Sequence, residues 1–162
     1  MVTFAASVIL AQTAALVHSK HSSSLTAWFD AGARHTAICA VSWVILRVVV
    51  APGPITVHRI EAAVVLYLHI ALVFFTTYRF VLMLAPNAFS GLTFGADRSP
   101  SASDLLYFSF AALIGTSYHA ITPTTPLAHG LVNMESLIGL LYLAALLAWF
   151  ITLQLKQRRS RG

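Results

Sequence analysis

A carboxylate within a long apolar run is the group in this chain with the strongest claim to chemistry. Glu135 lies inside the apolar stretch Leu127 to Leu155, and an ionisable side chain at such a position is by default a functional candidate with a partner. The plainer reading makes it a residue near one end of the run that caps nearby backbone through hydrogen bonds. Among the histidines, His18 and His21 have a spacing that could hold a metal, but no further ligands accompany them, so a solvated loop is the simpler reading. His69 sits in the apolar run Ile60 to Leu84 without a second histidine at matching depth for a haem iron, and reads as a satisfied buried side chain. Cys39 is the single cysteine; it excludes an intrachain disulfide and reads as a small buried hydrophobe. There is no nucleophile with an adjacent base, no phosphate-binding loop and no paired acid and base. The chain therefore reads as a non-enzyme with no catalytic residues, no metal site, no cofactor and no evident small-molecule substrate.

The elements that must position these groups are membrane helices. Apolar residues make up 58 % of the 162 residues and charged residues 9 %, against roughly 25 % charged in typical globular domains. A net charge of +5 does not point to nucleic acid, because Lys156, Arg158, Arg159 and Arg161 cluster in the tail and the other basic residues stand singly at the ends of apolar runs. The first apolar segment, Val2–Val17, lacks the basic start of a secretory signal and reads as a retained span. A polar stretch from His18 to Arg34 follows, read as a loop with an interfacial patch at Leu25–Phe29. The second segment is Thr36–Val50, with Arg47 reaching an interface. Pro52-Gly53-Pro54 forces a turn, and the third segment is Ile60–Leu84, with Arg79 near its end. A mixed stretch, Phe89 to Pro126, contains a helix over Ser103–Ile114, too short to span. Ser101 and Asp104 have the spacing of a capping box, and Gly115 suits a C′ cap. The fourth segment, Leu127–Leu155, ends in the basic tail.

Basic residues set the orientation. With four spans and a cytoplasmic tail, Arg47, Arg59 and the four tail residues lie inside, and Lys20, Arg34, Arg79 and Arg98 outside. The expectation is an all-α, multi-pass protein of a bacterial-type plasma (inner) membrane, its C-terminus cytoplasmic and the lipid bilayer its main partner. Residues 1–54 would form two N-terminal spans, and 55–162 a second unit.

In that second unit, a span, a short helix, a polar loop and a further span follow one another. Tyr107-Phe108-Ser109-Phe110, Tyr118, Ile121-Thr122-Pro123 and Pro126-Leu127-Ala128 resemble the two-helix pore domain of bacterial potassium channels. The resemblance continues through Glu135-Ser136-Leu137-Ile138-Gly139 and Leu141-Tyr142-Leu143-Ala144 of the inner helix. Upstream, Ile55-Thr56, Ala62-Ala63-Val64 and Tyr67-Leu68 are similar to the start of the outer helix. The likeness covers about residues 55 to 155.

This resemblance implies a homotetramer with four re-entrant loops around one axis, conducting potassium or another monovalent cation passively. Ser103–Ile114, with Tyr107, Ser109 and Phe110, would be the pore helix, its C-terminal dipole favouring a cation. Glu135 and Gly139 would belong to the inner helix, Gly139 where that helix can bend. The selectivity filter, T-V-G-Y-G in the family, falls on Gly115, Thr116, Ser117, Tyr118 and His119, so only Tyr118 is kept. Backbone carbonyls of such a filter replace the hydration shell of the ion. Ser117 and His119 replace glycines, and a left-handed conformation costs an ordinary residue about 1–2 kcal/mol. Weakened or altered selectivity is therefore expected, the alternative being a non-conducting, pore-derived subunit with a structural or assembly role. Four His119 rings near one axis could bind a transition metal or block the mouth; a loop histidine without a ligand role is the plainer reading.

Overall fold

The computed structural model describes residues 24–52, 56–93, 101–116 and 120–159. The expected first span Val2–Val17, with His18 and His21, lies outside the described residues, as do Gly53 and Pro54 of the turn and Ser117, Tyr118 and His119. Four helices carry the fold of the described residues: α1 (Ser24–Val50), α2 (Val57–Leu84), α3 (Ala102–Ile114) and α4 (Pro126–Arg159). Two short strands, β1 (Phe89–Ser90) and β2 (Thr122–Pro123), pair antiparallel with Phe89 opposite Pro123. Trp28–Val50, Val57–Leu84 and Pro126–Thr152 are each long and apolar enough to cross a membrane. The shortest of them has 23 residues, about 35 Å at the helical rise and more than the roughly 30 Å of hydrocarbon. The chain is thus an all-α protein of membrane type.

The polar stretch expected as a loop is helical from Ser24 onward. Its polar residues satisfy one another along the helix: Asp30 pairs with Arg34 at 2.7 Å, and the Thr36 hydroxyl donates to the Gly32 carbonyl at 2.8 Å. Tertiary contact then holds the segment down. Trp28 and His35 lie against Phe80 of α2, with ring centroids 6.3 and 5.5 Å apart, and His35 Nδ1 lies 2.8 Å from the buried Thr76 hydroxyl. At the other end Arg59 donates to the carbonyls of Val49, at 2.7 Å, and Ala51. Arg59 therefore closes the end of α1, beyond its part in the charge asymmetry. These two sets of contacts make α1 and α2 an antiparallel hairpin.

Helix α4 starts one residue before the expected Leu127. Pro126 takes the first helical position, where its missing N–H costs nothing, and Thr125 caps it by accepting from the Ala128 N–H at 3.3 Å. It continues past Leu155 to Arg159. The Tyr142 hydroxyl donates to the Ala63 carbonyl at 2.7 Å, so the late half of α4 lies beside the early half of α2.

Helix α3 fits between them. Its N-terminus departs from expectation: Ser101 is the N-cap but makes no side-chain cap bond. The carboxylate of Asp104 accepts from Thr93 instead, because the Ser101 N–H bonds to the Thr93 carbonyl at 2.9 Å and brings that segment alongside. The main core, which includes Phe74, Tyr78, Phe89, Leu105 and Phe108, lies where α2, α3 and β1 meet. Tyr78, Phe89 and Phe108 pack edge to face with centroids 5.3–5.6 Å apart, the arrangement aromatic quadrupoles favour.

Two glycines set how closely these parts approach. Gly91 has φ +78°, and a Cβ there would run into the Ala120 carbonyl. A Cβ on Gly139 would lie 2.9 Å from the Leu113 carbonyl carbon. Gly130, on the same helix, faces open space. Gly139→Ala should lower stability by about 1–3 kcal/mol through overpacking. Gly130→Ala should leave it unchanged or raise it by up to roughly 1 kcal/mol through helix propensity. Thermal unfolding in detergent, followed by circular dichroism, separates the two.

Candidate functional site at the end of the short helix

A helix that stops among apolar neighbours leaves its last carbonyls without intrahelical donors. Helix α3 stops in this way, beside Tyr67 of α2 and Gly139 of α4, well inside both long helices. Gly115 turns the chain out of the helix in the left-handed region, φ +79°. Its N–H bonds to the Ala112 carbonyl at 3.0 Å, and the Thr116 N–H to the Ala111 carbonyl at 2.8 Å. This is the two-bond closure of a Schellman turn, at the C′ position expected from sequence. Side chains supply further donors. The Ser136 hydroxyl donates to the Ala112 carbonyl at 2.8 Å, and the Tyr67 hydroxyl to the Leu113 carbonyl at 3.4 Å.

Behind this end lies Glu135. Its side chain is wholly buried. One carboxyl oxygen accepts from the Tyr78 hydroxyl, and the other lies 2.5 Å from the Ser109 hydroxyl oxygen. Ser109, also buried, is 2.8 Å from the Ala71 carbonyl. One carboxyl thus ties α4 to α2 and α3 together. The expected backbone cap by Glu135 is not what forms. The carboxyl faces the middle of α3 rather than its end, and its neighbour Ser136 makes the backbone contact.

The residues singled out in the sequence separate into groups. Gly115 and Thr116 are exposed at the tip of α3, with the Thr116 hydroxyl 3.1 Å from the Ala111 carbonyl. Ser117, Tyr118 and His119 lie outside the described residues. On α3, Ser109 is buried, Phe110 half-buried and Tyr107 exposed, so the three do not form one cluster. Gly139 is buried at the closest approach of α4 to α3, and α4 passes through it as continuous helix. His69 is half-buried, its Nδ1 2.9 Å from the Val65 carbonyl one turn back. Arg47 lies over the Trp43 ring at 5.5 Å. Among the described residues, no group of three or more His, Cys, Asp and Glu is arranged to hold a metal ion. Tyr78 was not singled out, and Tyr67 and Ser136 entered only through the family resemblance, although Tyr67, Ala71, Phe74 and Tyr78 follow the spacing of one helix face.

No family model, no curated protein and no solved structure matches this chain.

Removing one hydrogen-bond partner of Glu135 leaves a buried polar atom unpaired, a loss of about 1–3 kcal/mol. Tyr78→Phe and Ser109→Ala should each lower thermal stability by that order. Each should also raise amide hydrogen exchange across residues 102–114 more than across α1.

Proposed function

We propose that this chain is the subunit of a passive cation channel of potassium-channel type. Four copies surround one axis, and the segment Gly115–His119 forms the narrow part of the path. The observation that carries this reading is the course of the chain between α2 and α4. The chain leaves the end of α2 at β1, passes inward along α3, turns at Gly115 and is back beside β1 at Thr122. Non-helical backbone at membrane depth is tolerated where it lines water or is enclosed by protein, and a loop of this kind around a fourfold axis meets both conditions. The α3 dipole supports the same reading, because its negative end points toward the interior. The resemblance to bacterial two-helix pore domains supplies the ion class. Here α3 is the pore helix, α2 and α4 are the outer and inner helices, and α1 with Val2–Val17 makes two further spans.

Selectivity in this channel is weak. Ser117 and His119 stand where the filter of the resembled family has glycine, and that family's filter backbone would cost each of them a left-handed conformation four times over. The same two residues favour the second reading, a pore-derived subunit that does not conduct. Purified protein in liposomes tests both. The wild type should pass potassium and sodium with little discrimination, and Ser117→Gly with His119→Gly should raise the potassium-to-sodium flux ratio. Silent wild-type liposomes, with flux gained in the double variant, would establish the non-conducting reading. A monomer or dimer by native mass spectrometry would remove the channel.

A further inference from the structure

The contacts around Glu135 can be counted proton by proton. Three close oxygen pairs meet there: Tyr78 hydroxyl with one carboxyl oxygen, Ser109 hydroxyl with the other, and Ser109 hydroxyl with the Ala71 carbonyl. Each pair needs one proton between its oxygens. A hydroxyl carries one proton and a carbonyl none. If the carboxyl is ionised, Tyr78 and Ser109 bring two protons to three pairs, and two lone pairs face each other at either 2.5 Å or 2.8 Å. If the carboxyl carries a proton, all three pairs are filled. Glu135 then donates to Ser109, Ser109 donates to the Ala71 carbonyl, and Tyr78 donates to the remaining carboxyl oxygen.

The surroundings favour the same answer. Among the described residues, the ion pairs are Asp30 with Arg34 and His58 with Glu61, and neither involves Glu135. The carboxyl has no exposed surface, and a buried charge with no counter-charge costs several kcal/mol by order of magnitude. The elements packed on it offer aromatic and aliphatic groups, Phe74 and Tyr78 from α2 and Leu105 and Phe108 from α3. Tyr78 is the titratable side chain facing it from α2. From α3 the facing polar group is Ser109, which does not titrate.

We propose that Glu135 is a buried proton-binding site: its carboxyl holds a proton in the folded protein, donates it to Ser109, and makes the seating of α3 between α2 and α4 conditional on that proton. Loss of the proton leaves an unfilled oxygen pair at Ser109 and an uncompensated charge beneath α3. The short helix then loosens while the α1–α2 hairpin, held by His35–Thr76 and Arg59, stays closed. This inference stands on the hydrogen-bond geometry and holds whether or not the chain conducts.

The sequence makes the test clean, because the chain has two glutamates, Glu61 and Glu135, and the Glu61 side chain is 65 % exposed. Protein labelled with ¹³C at the glutamate carboxyl, in lipid at neutral pH, should give one carboxylate signal and one carboxylic-acid signal by NMR. The acid signal should vanish in Glu135→Gln, whose amide can still donate to Ser109 and accept from Tyr78. Two carboxylate signals in the wild type would overturn the proposal without any variant having to fold. The conditional seating is read from amide protection of residues 102–114, corrected for base catalysis, as pH is raised. Protection should fall in the wild type and in Tyr78→Phe as the acid signal converts to carboxylate, and should stay level in Glu135→Gln. An equal fall in Glu135→Gln would overturn it.

Discussion

The rest of the structure depends on how the short helix α3 ends between two long apolar helices. Its last carbonyls have no intrahelical donors, and each one left buried and alone costs several kcal/mol by order of magnitude. Helix α3 meets this constraint with three kinds of donor. Its own chain turns back through Gly115 and Thr116, α4 offers the Ser136 hydroxyl, and α2 offers the Tyr67 hydroxyl. The latter two need α2 and α4 to lie within hydrogen-bond reach of the same point. Close approach on the α4 side requires a residue without a Cβ, and Gly139 provides it. Once α4 is that near, Glu135, one turn before Gly139, has no route to solvent. It must find its partners among α2 and α3.

Polar links of this kind also fix the register of the long helices. Between helices in lipid there is little hydrophobic drive, because hydrocarbon tails are as apolar as leucine. The exposed Leu137, Leu140, Leu141 and Leu147 of α4 therefore say little about where α4 must sit. The directional contacts do: Tyr142 to the Ala63 carbonyl, Glu135 to Tyr78 and Ser109, His35 to Thr76, and Arg59 to the end of α1. Each joins two different helices, and together they allow one sliding position of each helix against the next. The edge-to-face cluster of Tyr78, Phe89 and Phe108 fills the space that this register leaves.

The parts of this arrangement legible in the sequence are those that local pattern dictates. Apolar length gave the α2 and α4 spans to within a few residues, and the single glycine after a short apolar run gave the Schellman turn at Gly115. The start of α1 was hidden because its polarity reads as a loop until Asp30 and Arg34 are seen to pair one turn apart and Trp28 to rest on Phe80. The capping box at Ser101 and Asp104 failed because Thr93, from the segment before the helix, lies alongside and competes for the carboxylate. Glu135 was visible as a buried acid, but its partners were not, since hydroxyls of tyrosine and serine occur on any helix face. The stripe Tyr67, Ala71, Phe74, Tyr78 was the available signal. It specified which face of α2 is occupied, though not by what.

Position 115 shows why Gly115 and Thr116 depart from the potassium filter that the sequence resembles. In the resembled family a threonine at this point offers a hydroxyl to the ion. Here the same residue is the C′ cap of α3, with φ +79°, a conformation a β-branched side chain reaches only with strain. A threonine could not both hold this cap and present its hydroxyl at low cost. The cap in turn lets the Thr116 N–H reach the Ala111 carbonyl, which directs that N–H back toward the helix. Thr116 follows with its hydroxyl also turned toward the Ala111 carbonyl. Gly115 and Thr116 are thus recruited first to finish the helix, and on the proposed channel reading an ion path would be built from Ser117 onward. On the proposed channel reading, the scaffold of a pore loop and the chemistry of its lining are therefore separable, and the separation begins at Gly115.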